Sequence, residues 1–262
     1  MVNIMQMKVT VLGCATSTGV PVIACPCEVC TSSDPRNRRT RASILVSSGD
    51  KNILVDTAPD LREQALVNNI CNINAVFYTH THADHIFGLD DLRIFNFIQA
   101  GKIPIYGREE TIADIRKIFS YIWNPLAPMG GGKPMLETHV LNGGPIELFG
   151  IEVEPIELLH GTRIIYGYIF GPLAYLTDCS AVPDATKEKI KGKDVVILGA
   201  LRYRPHPTHF GLKDALAVVE EVKPERTFLT HLSHSFDYEK VNAELPAGVE
   251  LAYDGLVIDF DD

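Results

Sequence analysis

The 262-residue chain lacks the features that would set it apart from ordinary globular proteins. No apolar run reaches the roughly 20 residues that span a bilayer. Residues 1–7 have neither the basic start nor the apolar core of a secretory leader. Hydrophobic residues make up 46% of the chain and charged residues 22%, so neither disorder nor a fibrous repeat is expected. By its length the chain could form one large domain or two small ones, and a single globular domain over residues 1–262 is the prediction. We expect it in the cytoplasm and without a membrane partner.

The chain is also short of positive charge. It has 24 Lys and Arg residues against 33 Asp and Glu residues, which gives a formal net charge of −9. Nonspecific affinity for polynucleotides comes mainly from Lys and Arg at phosphates. Stable binding to a polynucleotide is therefore not expected.

Cysteine is scarce, and its distribution is uneven. Six cysteines in a chain of this length are too few for a disulfide framework. Three of the six, Cys25, Cys27 and Cys30, crowd into one short segment. Such crowding indicates a metal site, with free thiols in a reducing compartment as the alternative.

What the chain does have is a dense cluster of metal-ligand side chains directly after an apolar segment, residues 75–78. The cluster consists of His80, His82, Asp84 and His85, in a chain with nine histidines. All four side chains bind divalent metals once they are deprotonated. The cluster therefore predicts a metal site.

Three further candidate ligands stand where predicted strands end. His160, Asp178 and His231 each close such a strand, as His80 does. Because ligands at strand ends converge on one edge of a sheet, we expect these residues to meet there. Asp56 closes an earlier predicted strand.

The remaining pattern alternates strands and helices. The predicted strands are residues 8–12, 43–47, 52–55, 75–78, 103–106, 146–149, 151–159, 166–170, 173–177, 195–198 and 226–230. The predicted helices are residues 61–69, 86–97, 111–119, 185–190 and 212–222. The segment 124–134, rich in Pro and Gly, is either a plain connection or a lid over the substrate.

The order of these ligands resembles the metallo-β-lactamase superfamily over nearly the whole chain. The resemblance implies an α+β fold, a four-layer αββα sandwich of two mixed β-sheets flanked by helices. It also implies a dinuclear centre in which one metal is held by His80, His82 and His160, the other by Asp84, His85 and His231, with Asp178 bridging. Asp56 would orient a ligand histidine through its other ring nitrogen, or else make only local hydrogen bonds.

A second metal site would involve the cysteine segment. Three thiolates from Cys25, Cys27 and Cys30 together with His234 form a closed tetrahedral set, which suits structural zinc in a clip loop at about residues 24–31. This pairing, with residues 19–21, 230–237 and 252–255, resembles the cyclic phosphodiesterases of the bacterial carbon-phosphorus lyase pathway. Those enzymes open a ribosyl cyclic phosphate. The Gly-rich loop at residues 13–21 either contacts phosphate or is a plain turn, and Cys14 stands where that family more usually has glycine.

Two residues are predicted to be catalytic, Asp84 and His209. By the resemblance, His209 matches a histidine that works as a general acid or as a phosphate partner. A group with a pKa near neutrality can protonate a leaving alkoxide that would otherwise depart poorly. The alternative for His209 is a histidine at the start of a helix.

Other basic residues are assigned less specific positions. His206 is expected in a loop and His139 at the surface. Arg202 and Arg204 either clamp phosphate through two hydrogen bonds or are exposed.

The predicted function is a dinuclear metal-dependent phosphodiesterase that hydrolyses a small phosphorylated substrate, such as a ribosyl cyclic phosphodiester. Two divalent cations, Mn or Zn, would serve the active site, and one Zn would be structural. A homodimer is compatible with the sequence. The alternatives are a thioester or lactone hydrolase of the same fold, and a non-hydrolytic metal protein like those of pyrroloquinoline quinone biosynthesis.

Overall fold

The computed structural model describes residues 7–126 and 132–260. Its strands, in chain order, are β1 (Met7–Gly13), β2 (Ser43–Ser48), β3 (Lys51–Val55), β4 (Ala75–Phe77), β5 (Ile103–Gly107), β6 (Leu136–Val140), β7 (Ile146–Leu148), β8 (Ile151–His160), β9 (Arg163–Phe170), β10 (Leu173–Leu176), β11 (Val195–Gly199), β12 (Arg226–Thr230), β13 (Val249–Leu251) and β14 (Val257–Phe260). Its α-helices are α1 (Leu61–Val67), α2 (Ala83–Ile86), α3 (Leu92–Gln99), α4 (Glu109–Ile118), α5 (Asp184–Ile190), α6 (Leu212–Val222) and α7 (Tyr238–Asn242).

These elements divide into two compact units. The first comprises Met1–Leu12, Ser43–Asn142 and Val257–Asp262, and the second comprises Gly13–Ala42 and Gly143–Leu256. Each unit contains one seven-stranded sheet. The prediction of a single domain stays a prediction.

The sheet of the first unit has the strand order β14-β1-β2-β3-β4-β5-β6. β2 and β3 pair as an antiparallel hairpin, whereas β3, β4, β5 and β6 run parallel. Leu54, Val76 and Ile105 of the central strands are fully buried, as their apolar side chains require. Because parallel strands end at the same edge of a sheet, the residues that follow β3 and β4 lie near each other.

The sheet of the second unit has the strand order β13-β12-β11-β10-β9-β8-β7. β8 and β9 form a long antiparallel hairpin that closes at the pair His160 and Arg163, and β10 to β13 run parallel. All five residues of β11 are buried, which is typical of a parallel strand with both faces covered. The ends of β8, β10 and β12 carry the predicted ligands of this unit.

The predicted helix over residues 86–97 is wrong in its first half. α2 ends at Ile86, a 3-10 turn follows at Leu89–Asp91, and α3 begins only at Leu92. At the break the N–H of Gly88 donates to the carbonyl of Thr57 at 2.9 Å, outside the helix. Gly88 also packs closely on the segment before α1, because a Cβ built on it would lie 2.0 Å from the carbonyl oxygen of Ala58.

The predicted α+β class, with two mixed sheets flanked by helices, is confirmed. Among the described strands and α-helices, five were not expected from the sequence: β6, α2, α7, β13 and β14. Within the segment 124–134, residues 127–131 lie outside the described residues. The prediction that this segment is either a plain connection or a lid therefore lies outside them as well. Among the helices that the structure describes, none is long and apolar enough to cross a membrane.

Candidate metal centre

The first set of donors lies in the first unit, just beyond β4. His82 has an extended backbone and directly precedes α2, which carries Asp84 and His85. The ring centroid of His80 lies 4.6 Å from that of His82 and 4.3 Å from that of His85. Oδ2 of Asp84 lies 3.4 Å from Nε2 of His85. Three imidazoles and a carboxylate are thus gathered in one small region, with only His82 exposed among the four.

Asp56 fixes the protonation of two of these histidines. Its Oδ1 accepts the backbone N–H of Thr79 at 2.9 Å, and its Oδ2 accepts the Thr79 hydroxyl at 2.7 Å and Nδ1–H of His85 at 2.7 Å. The Thr79 hydroxyl oxygen in turn accepts Nδ1–H of His80 at 3.0 Å. Both rings therefore carry their proton on Nδ1, so that the lone pair of Nε2 can bind a metal.

The carboxylate of Asp56 is held in an apolar environment. Burial raises the pKa of Asp56 above its ordinary value, while the His85 imidazole and the donors of Thr79 act against that rise. The hydrogen bonds thus offset part of the cost of burying this charge.

Three of the strand-end residues adopt an unusual backbone conformation. Asp56, Asp178 and His231 have φ angles of 63°, 56° and 56°. This left-handed region costs residues with a Cβ of order 1–2 kcal/mol, and glycine is its usual occupant. Such conformations cluster at functional sites, where the surrounding structure holds them in place.

The second set of donors lies in the second unit, at the ends of β8, β10 and β12. His231 Nε2 is 3.1 Å from Oδ2 of Asp178, and the hydroxyl of Thr177 donates to Oδ1 of the same carboxylate at 2.6 Å. Nδ1–H of His160 donates to the carbonyl of Thr208 at 2.8 Å. The Nε2 lone pair of His160 is thereby directed to the role of a metal ligand.

His209 lies directly against this second set. Its ring stacks on that of His231, with centroids 4.9 Å apart and planes 13° apart, and its centroid is 4.7 Å from that of His160. Its Nδ1 is 3.8 Å from Oδ2 of Asp178. Burial lowers the pKa of His209 to about 3, helped by the neighbouring imidazoles and opposed by Asp178. The ring is therefore neutral at pH 7 in this environment, and an anion bound beside it would raise its pKa.

A polar pocket of about 380 Å³ opens beside His209 in the second unit. The Gly-rich loop contributes Thr16, Ser17 and Thr18 to its wall, and no carboxylate of the described residues lines it. Arg202 and His206 also line the pocket, so its walls combine hydroxyl groups with basic groups. Such a composition suits an anionic or polyhydroxylated ligand.

The two arginines of the neighbouring loop have different roles. Arg202 donates to the carbonyls of Arg204 at 3.3 Å and Pro205 at 3.0 Å, and so supports the loop that leads to His206. Arg204 is exposed. Nδ1 of His206 accepts the backbone N–H of Thr208 at 3.3 Å, and burial together with Arg202 lowers the pKa of His206.

The cysteine segment forms a second candidate site, entirely within the second unit. The Sγ atoms of Cys25, Cys27 and Cys30 lie 3.3, 3.4 and 3.5 Å from Nδ1 of His234. The four ligand atoms lie within 4.8 Å of one another. A tetrahedral zinc ion with bonds of about 2.0–2.3 Å separates its ligand atoms by roughly 3.5–3.8 Å. The three sulfur atoms and the imidazole nitrogen therefore fit structural zinc.

Backbone donors surround these thiols. The N–H of Val22 donates to Sγ of Cys30 at 3.3 Å, and the N–H of Cys30 donates to Sγ of Cys27 at 3.5 Å. The latter bond is the main cause that lowers the pKa of Cys27 to about 6, whereas burial raises the pKa of Cys30 to about 11. At least one thiolate is therefore available for metal near neutral pH.

Some residues of these sites were not found from the sequence. Thr79 links His80 to Asp56, and its position before a strand-end histidine is the one signal that could have indicated this. Thr208 acts through its carbonyl group, which has no sequence signal at all. The predicted surface residue His139 lies in β6, where its ring stacks on Tyr106 with centroids 4.8 Å apart.

The family of the chain follows from a comparison with known domains. Residues 51–232 match the family model of the beta-lactamase superfamily domain, and this segment contains both sets of histidine and aspartate donors. The chain belongs to the metallo-β-lactamase superfamily. The resemblance inferred from the order of the ligands is thereby confirmed.

The proteins that this chain is similar to have different names and activities. A solved diphosphatase of the PhnP family is 45% identical, covers 98% of both chains and has a TM-score of 0.92. The octanoyltransferase of Porphyromonas gingivalis is 35% identical over 256 residues, which are 95% of this chain and 51% of that protein. The chain thus spans about half the length of this relative. The coenzyme PQQ synthesis protein B of Methylobacterium radiotolerans is 27% identical over 73% of this chain and 72% of its own length.

The superfamily membership and the diphosphatase support a metal-dependent hydrolase. The two donor sets with fixed histidine protonation fit the binding of divalent metal. Which bond the enzyme cleaves is a narrower question, because members of one fold family perform different reactions.

Proposed function

We propose that the protein is a dinuclear metal-dependent phosphodiesterase that hydrolyses a small phosphodiester. The observation that carries this proposal is the fixed protonation of three histidines, two of which follow or end strands while the third, His85, lies in α2. Nδ1–H of His85 donates to the carboxylate of Asp56, and Nδ1–H of His80 donates to the hydroxyl of Thr79. Nδ1–H of His160 donates to the carbonyl of Thr208. Each ring therefore has its Nε2 available for a cation. Neutral imidazoles held in this way are typical of metal ligands rather than of core histidines.

Two divalent cations, Mn or Zn, are proposed for the active site. By the superfamily pattern, the first cation is held by His80, His82 and His160, the second by Asp84, His85 and His231, with Asp178 bridging. Two cations bound in this way lower the pKa of water and neutralise charge on a phosphoryl group. Asp84 is therefore proposed as a metal ligand that is also catalytic, because its negative charge affects the charge at the reacting phosphoryl group.

His209 would act on the phosphoryl oxygens or on the leaving oxygen. Its low pKa means that the free enzyme holds it neutral, so it can donate one hydrogen bond to a phosphoryl oxygen without carrying charge. An anionic substrate raises the pKa of an adjacent imidazole, and only then would His209 gain the proton that a general acid requires. Its contacts with Asp178, His160 and His231 hold the ring in a fixed orientation.

The substrate is proposed to be a small phosphorylated molecule, for which a ribosyl cyclic phosphodiester is the specific candidate. The pocket of about 380 Å³ with hydroxyl and basic walls favours a small polar ligand. The similarity to a PhnP-family diphosphatase supports phosphate chemistry. The net charge of −9 argues against a polynucleotide.

The proposal also includes a structural metal, a cellular location and an assembly state. A third metal, structural zinc, would be bound by Cys25, Cys27, Cys30 and His234. We propose a cytoplasmic location, where thiols remain reduced, and a homodimer as the assembly.

A metal-loaded activity assay tests this function. Purified protein supplied with Mn²⁺ or Zn²⁺ is expected to cleave bis(p-nitrophenyl) phosphate and small cyclic phosphates, and to leave thioesters and lactones intact. His85→Ala should abolish the activity, while His139→Ala, a matched change of a histidine in β6, should retain it. A folded, metal-loaded sample that is inert toward all phosphodiesters would contradict the proposal, and cleavage of thioesters or lactones instead would favour a different hydrolase.

A non-hydrolytic role is the second candidate, because the coenzyme PQQ synthesis protein B aligns with 73% of this chain. The cysteine site is compatible with either role. Metal analysis separates the two candidates. Three metals per chain would favour the dinuclear hydrolase, whereas a single zinc per chain would favour a binding protein.

A further inference from the structure

The base of the Gly-rich loop is tied to a carboxylate close to the end of the chain. Oδ1 of Asp254 accepts the backbone N–H of Cys14 at 3.1 Å and lies 3.5 Å from its Sγ. Oδ2 of Asp254 accepts the backbone N–H of Thr40 at 2.6 Å and its hydroxyl at 2.7 Å. One side chain thus joins two segments that are 214 and 240 residues away from it along the sequence.

The same loop is held on both sides by backbone hydrogen bonds. Ala15 N–H donates to the carbonyl of Thr40 at 2.8 Å. On the other side, the N–H of Leu232 donates to the carbonyl of Cys14 at 2.8 Å, and the N–H of Thr16 donates to the carbonyl of Leu232 at 3.0 Å. Because Leu232 directly follows His231, the loop base is part of the structure that supports a proposed metal ligand.

The tip of the loop carries hydroxyl groups into the polar pocket. Thr16, Ser17 and Thr18 line the pocket together with Arg202 and His209. The N–H of Gly19 donates to the carbonyl of Thr16 at 2.9 Å, and Gly19 has a φ of 65°, which closes the tip as a tight turn. The position of these hydroxyls therefore depends on how firmly the loop base is fixed.

We propose that Asp254 is a positioning residue for substrate binding, which fixes the Gly-rich loop so that Thr16, Ser17 and Thr18 form a rigid hydroxyl wall of the pocket beside His209. The wall takes the hydroxyl or oxyanion groups of the substrate that lie away from the reacting bond. This inference rests on the proposed function for the nature of the substrate. The fixing of the loop by Asp254 does not depend on it.

A carboxylate suits this position because both of its oxygens accept hydrogen bonds. The N–H of Cys14 meets one oxygen, and the N–H and O–H of Thr40 meet the other. The thiol of Cys14 lies near the first oxygen at 3.5 Å and near the carbonyl of Ala252 at 3.4 Å. An asparagine has one acceptor oxygen and one NH₂ group, which would face the donors of either Cys14 or Thr40. Asp254→Asn therefore keeps the shape of the side chain and removes about half of the hydrogen bonds by which Asp254 holds Cys14 and Thr40.

Hydrogen exchange tests, without reference to activity, whether Asp254 holds the Gly-rich loop in place. In Asp254→Asn, the amides of Ala15, Thr16 and Val20 are expected to exchange at least about tenfold faster than in the wild type, because the variant loses hydrogen bonds that hold the base of the loop. Asp259→Asn, which changes an exposed carboxylate of β14, serves as the matched control and should leave these amides unchanged. Unchanged exchange in Asp254→Asn would overturn the proposal whether or not the protein is a phosphodiesterase.

Kinetics test the consequence for the substrate. Asp254→Asn is expected to raise KM for a cyclic sugar phosphate by about tenfold or more, with kcat changed by less than about threefold. KM for bis(p-nitrophenyl) phosphate, which has no sugar hydroxyls, should change much less. A matching fall in kcat for both substrates, together with loss of bound metal, would show a general structural role and would overturn the positioning role. Wild-type protein that cleaves neither substrate would contradict the proposed function. The exchange result would still show whether Asp254 holds the Gly-rich loop in place.

Discussion

Nδ1 of His85 lies 2.7 Å from Oδ2 of Asp56, and both side chains are fully buried. Because a carboxylate can only accept, the proton of the imidazole resides on Nδ1 and the lone pair on Nε2. Asp56 thus decides which nitrogen of a residue 29 positions away can bind a cation.

Asp56→Asn should weaken metal binding without removing any proposed ligand. The amide can present its NH₂ group to His85, which would favour the ring form with the proton on Nε2. Losses of about 10- to 100-fold in metal affinity are typical when such a partner is changed. Competition with a chelator measures this affinity, and Asp50→Asn, in the exposed turn between β2 and β3, is the control. Wild-type affinity in Asp56→Asn would show that the hydrogen bond does not orient His85.

Gly88→Ala should destabilise the first unit and the segment that carries Asp84 and His85. The added Cβ would lie 2.0 Å from the carbonyl oxygen of Ala58 and 2.9 Å from Cβ of Leu61, so the backbone must shift. Overpacking of this kind costs about 1–3 kcal/mol or more. Urea unfolding measures the loss. Gly101→Ala, whose Cβ would meet its nearest neighbour at 3.8 Å, should change stability little, and equal effects of both substitutions would refute the explanation.

Cys30→Ser should remove the structural zinc. Cys30 is buried, and its sulfur accepts the N–H of Val22, so a serine there replaces a good zinc ligand with a poor one in the same place. The variant is expected to bind one zinc fewer per chain and to unfold at a lower temperature, because zinc binding contributes directly to folding. Elemental analysis and calorimetry measure both effects. Cys71→Ser, which changes an exposed cysteine, is the control, and a wild-type zinc content in Cys30→Ser would exclude the cysteine site.

His209→Ala should distinguish proton transfer from phosphate binding. If His209 protonates the leaving oxygen, kcat for a phosphodiester with an alkoxide leaving group should fall by about 10²–10⁴-fold, and much less for a nitrophenolate leaving group. Steady-state kinetics on the two substrates give this ratio, with His139→Ala as the control. Equal losses on both substrates would remove the role as an acid and leave that of a phosphate partner.

Asp254 should make stability depend on pH in the acidic range. Burial raises the pKa of Asp254 from 3.8 to about 6, so the folded state binds this proton more tightly than the unfolded state. The contribution of this group to stability is therefore fully present below about pH 4 and is lost as the pH rises to about 6, by at most about 3 kcal/mol. Urea unfolding of the wild type and of Asp254→Asn between these pH values should show the wild type losing stability relative to the variant. Parallel curves would show that Asp254 titrates normally.

The sequence predicted the strand ends well, because apolar runs stop where polar ligands begin. His231 directly follows β12 and His160 is the last residue of β8, as the periodicity indicated. The roles proposed for these residues stay predictions. What the sequence could not predict are contacts between distant segments, such as that between His160 and the carbonyl of Thr208, since a backbone carbonyl has the same chemistry at every residue.

The broken helix at residues 86–97 shows a second limit. The apolar spacing of this segment fits a helix, but the close packing of Gly88 on Ala58 depends on tertiary structure. The tie between Cys14 and Asp254 is similar, because nothing near either residue in the sequence indicates the other. Local patterns therefore identify elements, and the exact course of the chain between them depends on packing.

The left-handed conformations of Asp56, Asp178 and His231 have a practical consequence for protein engineering. At each of these positions glycine would relieve backbone strain, so the chain retains side chains where the fold alone would favour none. A chain with glycine at Asp178 or His231 would combine a relaxed scaffold with an incomplete set of donors. Such a variant is a natural starting point for capturing uncleaved ligands in crystals.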